Sequence, residues 1–209
     1  DCYGTLVDWE GGIYKSLSPL VQQLPESHPL RNDRAAVLKA FVRNEGIVQR
    51  ERPDALYSSV LSDAYGRLAE ELGVKSNKEN QDAFGNGVGD WPAYPDSVEA
   101  LQRLKRHYKL VILSNVDRES FSRTLSQQLA GVDFDAVYTA QEIGSYKPDL
   151  RNFEYLIKHC EEDLGVKKVD IIHTAQALHH DHVPAKQSGL NSAWIDRGVE
   201  IKSVMGGAL

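Results

Sequence analysis

Basic runs and long apolar stretches are both missing from this 209-residue chain. With 30 acidic against 24 basic side chains and a formal net charge of -6, it carries no electrostatic footprint for nucleic acid or an anionic membrane. No segment approaches the roughly 20 consecutive apolar residues that a membrane-spanning helix needs, and no signal peptide is visible. Cysteine is scarce. Cys2 and Cys160 make neither a metal-ligand spacing nor a disulfide framework. Repeats and low-complexity tracts are absent as well. The expectation is a soluble, cytoplasmic protein that acts on a small molecule. A small anion would be repelled by the average field, so any anion site must rely on locally placed Arg, Lys or backbone N–H groups.

What is present is enough chain for one domain, or for a core with a large insertion. From Trp9 to Gly89 the pattern is helical: Val37, Leu38, Phe41 and Val42 share one face, and Val60, Leu61, Ala64, Tyr65, Leu68 and Leu72 share another. Pro53-Asp54 can start a helix and Gly73 can close one, while the glycine-rich run from Gly85 to Asp90 reads as a hinge. That run follows no strand and lacks a Gly-Lys-Ser/Thr ending, so it is no phosphate loop. After Pro95 short apolar runs alternate with helical segments. Strands are expected at 109–113, 134–138, 169–173 and 192–195, with helices over 97–107, 149–159 and 182–188. Buried strands separated by helices imply a parallel sheet covered on both faces, with functional residues at the carboxyl ends of its strands.

Several chemistry-bearing residues fall at those ends. The chain opens Asp1-Cys2-Tyr3-Gly4-Thr5-Leu6, a carboxylate followed by a glycine turn and a hydroxyl, which suits a presented nucleophile. Ser114-Asn115 ends the first expected strand, Lys147-Pro148 opens a helix, and Asp181 follows the third strand. His179, His180 and His182 surround Asp181 but match no strong zinc spacing, so a structural or tuning role is preferred.

In this order the four segments resemble the motifs of the haloacid dehalogenase superfamily, in particular its type II 2-haloacid dehalogenase branch. Asp1 to Leu6 is similar to the first motif, Leu113-Ser114-Asn115 to the second and Tyr146-Lys147-Pro148-Asp149 to the third. The Asp181 region, with Ala185, Gly189 and Trp194 to Arg197, is similar to the fourth. The resemblance covers nearly the whole chain. It implies an α/β fold, a Rossmann-like parallel-sheet core with helices on both faces, built from residues 1–8 and 90–209. Residues 9–89 would form a helical cap inserted after the first motif. The family also places an apolar strand before its nucleophile. None precedes Asp1 here, and a trimmed chain is the expected explanation.

By this resemblance the chain is a hydrolase that cleaves the carbon–halogen bond of a small 2-haloacid through an aspartyl ester, without a cofactor. Asp1 would be the nucleophile and Lys147 the cation that favours its ionised form. Thr5 and Ser114 would orient Asp1 and the substrate carboxylate, and Asp181 would serve the hydrolytic water. Asn115 and a cap arginine, here Arg43, would cradle the departing halide. Tyr3 occupies the position where the superfamily's phosphatases carry a second Asp to protonate a leaving alcohol, and halide needs no such proton. Gln176 is expected to replace an asparagine of the fourth motif. Two alternatives remain open. One is a magnesium-dependent phosphatase with Asp1 and Asp181 at the metal, and the other a binding protein of this fold without turnover. Apolar cap helices allow a homodimer.

Overall fold

The computed structural model describes residues 1–198 and 203–204. Its first half is helical: α1 (Trp9–Val21), α2 (Arg34–Glu51), α3 (Tyr57–Leu72) and α4 (Lys78–Asn86), the last running into a 3-10 turn, Gly87–Asp90. Local chemistry sets these limits. The Asp8 and Asp33 side chains accept from the Gly11 and Ala36 N–H groups at the first turns of α1 and α2. Gly73 closes α3 at φ 65°, a left-handed conformation that residues with a side chain rarely adopt. The apolar stripes read from the sequence pack inward, with Val37, Leu38, Phe41, Val60, Leu61, Ala64, Tyr65 and Leu68 all buried.

The second half alternates α5 (Ser97–Lys105), β1 (Val111–Ser114), α6 (Arg118–Arg123), β2 (Ala136–Thr139), α7 (Ala140–Ile143), α8 (Leu150–Leu164), β3 (Ile172–Ala175), α9 (Val183–Gln187) and β4 (Asn191–Trp194). The α/β class holds. The expected single sheet is, among the described residues, two parallel pairs: β1 with β2 and β3 with β4. The third expected strand also lies two to three residues further on. Residues 168–170 form a 3-10 turn and Val169 is 77% exposed, so its apolar character misplaced the strand.

The opening segment links these parts. Asp1 N reaches Thr174 O on β3 at 3.3 Å. Gly4, at φ +90°, turns the chain so that the Thr5, Leu6 and Val7 N–H groups all point at Cys2 O. The two ends of the helical segment then meet: Asp8 N–H donates to Pro92 O at 2.8 Å, and Tyr94 N–H to Leu6 O at 2.9 Å. Two further bonds tie the helical segment to the second half. Ser58 N–H at the start of α3 donates to Asp117 at 3.1 Å, and Tyr146 Oη donates to Ala55 O at 2.6 Å.

The glycine run expected as a hinge is packed helix instead. A Cβ on Gly85 would stand 2.1 Å from Ser58 O, and one on Gly89 2.8 Å from Ser120 O, so these glycines serve close approach.

Candidate active site

Lys147 is the centre of the site. It precedes α8, is 2% exposed, and its three ammonium protons have three acceptors: Asp1 Oδ1 at 2.9 Å, Asp181 Oδ1 at 2.6 Å and Leu113 O at 3.2 Å. Asn115, just past β1, fixes the same residue from behind, accepting from Lys147 N–H at 2.7 Å and donating to Lys147 O at 3.0 Å. Residues 146 positions apart are thereby brought into one ion pair.

Both oxygens of Asp1 are held. Lys147 takes Oδ1, and Thr5 Oγ1 donates to Oδ2 at 2.5 Å while itself accepting from Gln176 N–H at 3.0 Å. Each oxygen keeps a lone pair for bond formation. Asp181 is 1% exposed, in a π-type turn (Leu178–His182) between β3 and α9. Burial pushes its carboxyl up, yet Lys147 and the His173 hydrogen bond (2.7 Å) outweigh this and hold it well below the usual carboxylate range. Burial lowers His173 to about 4, so at neutral pH its ring is uncharged and donates through Nε2–H to Asp181.

These residues line a small cavity, about 50 Å³, between the second half and the helical segment. Asp1, Tyr3, Ser114, Asn115, Lys147, Ala177, His180 and Asp181 form one wall; Trp9, Glu45, Gln49 and Tyr57 form the other. Ser114 Oγ is buried and has no hydrogen-bond partner among the described residues. Opposite, a relay reaches the cavity: Trp9 Nε1–H donates to Tyr57 Oη at 2.8 Å, and Tyr57 Oη–H donates to Glu45 Oε1 at 2.7 Å. Burial raises Glu45 to about 7. Burial also lowers His180 to about 4.

Of the residues expected from sequence, Asp1, Thr5, Ser114, Asn115, Lys147 and Asp181 come together. Three expectations change. Arg43 lies on the exposed side of α2, paired with Glu71, and does not line the cavity. Gln176 points elsewhere: its side chain accepts from Arg197 N–H at 2.9 Å and donates to Ser203 Oγ at 3.0 Å, and only its backbone N–H serves the site, through Thr5. Tyr3 lines the cavity with its ring, but its hydroxyl is bonded to Thr124 Oγ1 at 2.7 Å. His182 is a structural clamp, its two nitrogens on Ser192 Oγ and Ala175 O at 3.0 and 2.8 Å.

Glu45, Tyr57, Trp9, Gln49 and His173 escaped the sequence reading, whereas His180, expected in a structural or tuning role beside Asp181, lines the cavity. For Glu45 a signal existed. It falls four residues after Phe41 and three before Val48, on the buried stripe of α2, where an unpaired carboxylate is out of place.

Comparisons with known proteins agree on one neighbourhood. A sequence model of the haloacid dehalogenase-like hydrolases matches residues 1–173. An (S)-2-haloacid dehalogenase from Pseudomonas sp. (strain YL) is 29% identical over 153 residues, 73% of this chain and 54% of that protein, so the match spans about half of the relative's length. Among solved structures, the L-2-haloacid dehalogenase PA0810 superposes with a TM-score of 0.75 at 21% identity, covering 100% of this chain and 88% of that one. The L-2-haloacid dehalogenase from Xanthobacter autotrophicus gives 0.74 at 20% identity, covering 96% and 77%.

Proposed function

Given that this chain belongs to the haloacid dehalogenase-like hydrolases, we propose that it cleaves a carbon–halogen bond of a small 2-halogenated acid through an ester on Asp1. The observation that carries this is Lys147 between Asp1 and Asp181, at 2.9 and 2.6 Å, which keeps one carboxylate ionised for attack and the other for water. Asp1 attacks the halogenated carbon, the carbon–halogen bond breaks, and halide leaves with the bonding electrons. Water oriented by Asp181 then attacks the ester carbonyl. One of its protons ends on the hydroxyl product and the other in solvent, and Asp1 is regenerated. Thr5 orients the nucleophile, and the free Ser114 hydroxyl donates to the substrate.

The reading is metal-independent. Lys147 already supplies a positive charge to both carboxylates, and Tyr3, which offers no carboxylate, has its hydroxyl turned to Thr124. Residues 9–89 act as the cap that closes the cavity over Asp1. The deciding experiment measures halide from (S)-2-chloropropionate in EDTA beside phosphate from an aryl phosphate in magnesium. Halide release that Asp1→Asn abolishes supports the reading. Phosphate release alone, or no turnover of either compound, refutes it.

A further inference from the structure

Glu45 stands apart from the other acids of the site. It is 9% exposed on the helical wall of the cavity, with Oε1 accepting from Tyr57 and no salt-bridge partner among the described residues. The other two carboxylates of the cavity, Asp1 and Asp181, share Lys147. That ammonium gives its three protons to them and to Leu113 O, and has none left for Glu45. Tyr3, Tyr57 and Tyr146 are pushed up by burial and stay neutral, and His180, lowered to about 4 by burial, is neutral as well. On the same helix as Glu45, Arg43 is turned to solvent and Glu71. Ionised, Glu45 is therefore a buried charge without a counter-ion. Burial holds its carboxyl up at about 7, although the Tyr57 hydrogen bond lowers it. The anion of a 2-halogenated acid would add to this excess, meeting carboxylates at Asp1, Asp181 and Glu45 against one ammonium. The strand-end wall has donors for one side of that anion: Ser114 Oγ–H, and the Asn115 amide, which carries a second N–H beyond the one on Lys147 O. On the helical wall the Trp9 and Tyr57 protons are spent within the wall, leaving Gln49 and Glu45 to meet the other side.

We propose that Glu45 binds the substrate as the neutral acid, donating Oε2–H to the carboxylate of the 2-halogenated acid, so that each anion bound brings one proton into the cavity. A carboxylic acid facing a carboxylate turns a repulsion into a charge-assisted hydrogen bond. Tyr57 holds Oε1 as an acceptor, which leaves Oε2 to carry the proton. The inference rests on the cavity being the site of a 2-halogenated acid, and gives the carboxylate of that acid a partner opposite Ser114. The proton comes from solvent as the anion enters. It stays on Glu45 while Asp1 Oδ bonds to C2 and halide departs with its electron pair, and while water attacks the ester. It returns to solvent when the 2-hydroxy acid leaves, so the overall reaction is unchanged by it.

The test uses the full-length protein and lactate, the anion that dehalogenation of 2-chloropropionate leaves, which binds without reacting. Isothermal titration calorimetry at pH 8, in buffers of different ionisation enthalpy, counts the protons taken up. The wild type is expected to take up about one per lactate, and Glu45→Gln, whose amide donates without titrating, none. Lactate should also bind the variant about tenfold more tightly at pH 8, where roughly one Glu45 in ten of the free wild type is protonated. With (S)-2-chloropropionate, kcat/KM should fall about tenfold per pH unit above 7 in the wild type and stay level in the variant. The α-amino group of Asp1, which burial lowers to about 6, titrates in both proteins and cancels in the comparison. Tyr57→Phe gives a second handle: it loses the bond that lowers Glu45, so the fall should begin at higher pH. No proton uptake by the wild type, uptake unchanged in Glu45→Gln, a fall that Tyr57→Phe leaves in place, or no lactate binding at pH 6 overturns the proposal. Proton uptake that Glu45→Gln removes supports it even if no chloride is released, in which case it is the dehalogenase reading that fails.

Discussion

The side-chain amide of Asn115 closes a two-point clamp on the backbone of Lys147, accepting from its N–H at 2.7 Å and donating to its carbonyl at 3.0 Å. A residue at the end of β1 thus sets where the ammonium of another loop stands. The position expected to cradle halide holds, in the structure, the lysine that pairs with Asp1.

Loosening that clamp should therefore act on rate more than on binding. Asn115→Ala is expected to lower kcat by about 100-fold, the order of loss that follows an ångström of misplacement, with a much smaller change in KM. Steady-state kinetics of chloride release from (S)-2-chloropropionate check this. A change confined to KM would contradict the positioning role.

Removing the ammonium leaves two buried carboxylates facing each other. Lys147→Met should abolish turnover and cost about 3–5 kcal/mol of stability, as breaking a buried ion pair does. Adding Asp181→Asn to that variant should recover part of the stability and none of the activity. Denaturant titrations of the two singles and the double measure the coupling.

Glu45 gives stability a dependence on pH with a definite sign. Its carboxyl lies at about 7 in the folded protein against 4.5 ordinarily, so the unfolded chain ionises first. Its contribution is fully present below pH 4.5 and is lost as pH rises to 7, by an amount on the order of 3 kcal/mol. His173, lowered to about 4 from 6.5, works the other way over an overlapping window, favouring the folded state more as pH rises. The difference between Glu45→Gln and wild type isolates the first effect. It should move in favour of the variant from pH 4.5 to pH 7, by urea titration at each pH, and a flat difference would exclude a buried, titrating Glu45.

Close packing at glycine predicts a purely structural defect. A Cβ at position 85 would stand 2.1 Å from the backbone oxygen of Ser58, so α3 and α4 must separate to admit it. Gly85→Ala should cost roughly 1–3 kcal/mol and lower the melting temperature, with substrate preference unchanged in the folded fraction.

Chelation supplies the simplest control. Turnover of the chlorinated substrates should be the same in EDTA as in magnesium, measured by chloride release.

Much of this was legible in the sequence, for identifiable reasons. Ser114, Lys147 and Asp181 could be found because each sits at a strand end or in the loop beyond it, places that apolar runs mark, and Asp1 because a glycine turn and a hydroxyl follow it. The helical faces were readable because burial follows their spacing. What failed was direction. Arg43 and Glu45 are two residues apart on one helix, and a 3.6-residue period sends them to different sides, Arg43 to solvent and Glu45 to the cavity. Gln176 lies between Ala175 and Ala177 in a strand-end turn, where side-chain direction depends on the backbone path rather than on residue type. His173 looked like strand core. Only its 2.7 Å contact with Asp181, eight residues on, shows it supporting the site.

The hydrogen bonds that join Asp8 to Pro92 and Leu6 to Tyr94 have an evolutionary consequence. The chain departs and returns at one doorway, so everything between can be lengthened, replaced or recombined while Asp1, Lys147 and Asp181 stay where they are. Glu45, Gln49, Trp9 and Tyr57 all lie inside that exchangeable stretch, and the ion-paired triad lies outside it. The helical wall of the cavity and the ion-paired triad thus lie on separate pieces of one polypeptide. Transplanting residues 9–91 between relatives should carry preference with it and leave reactivity behind.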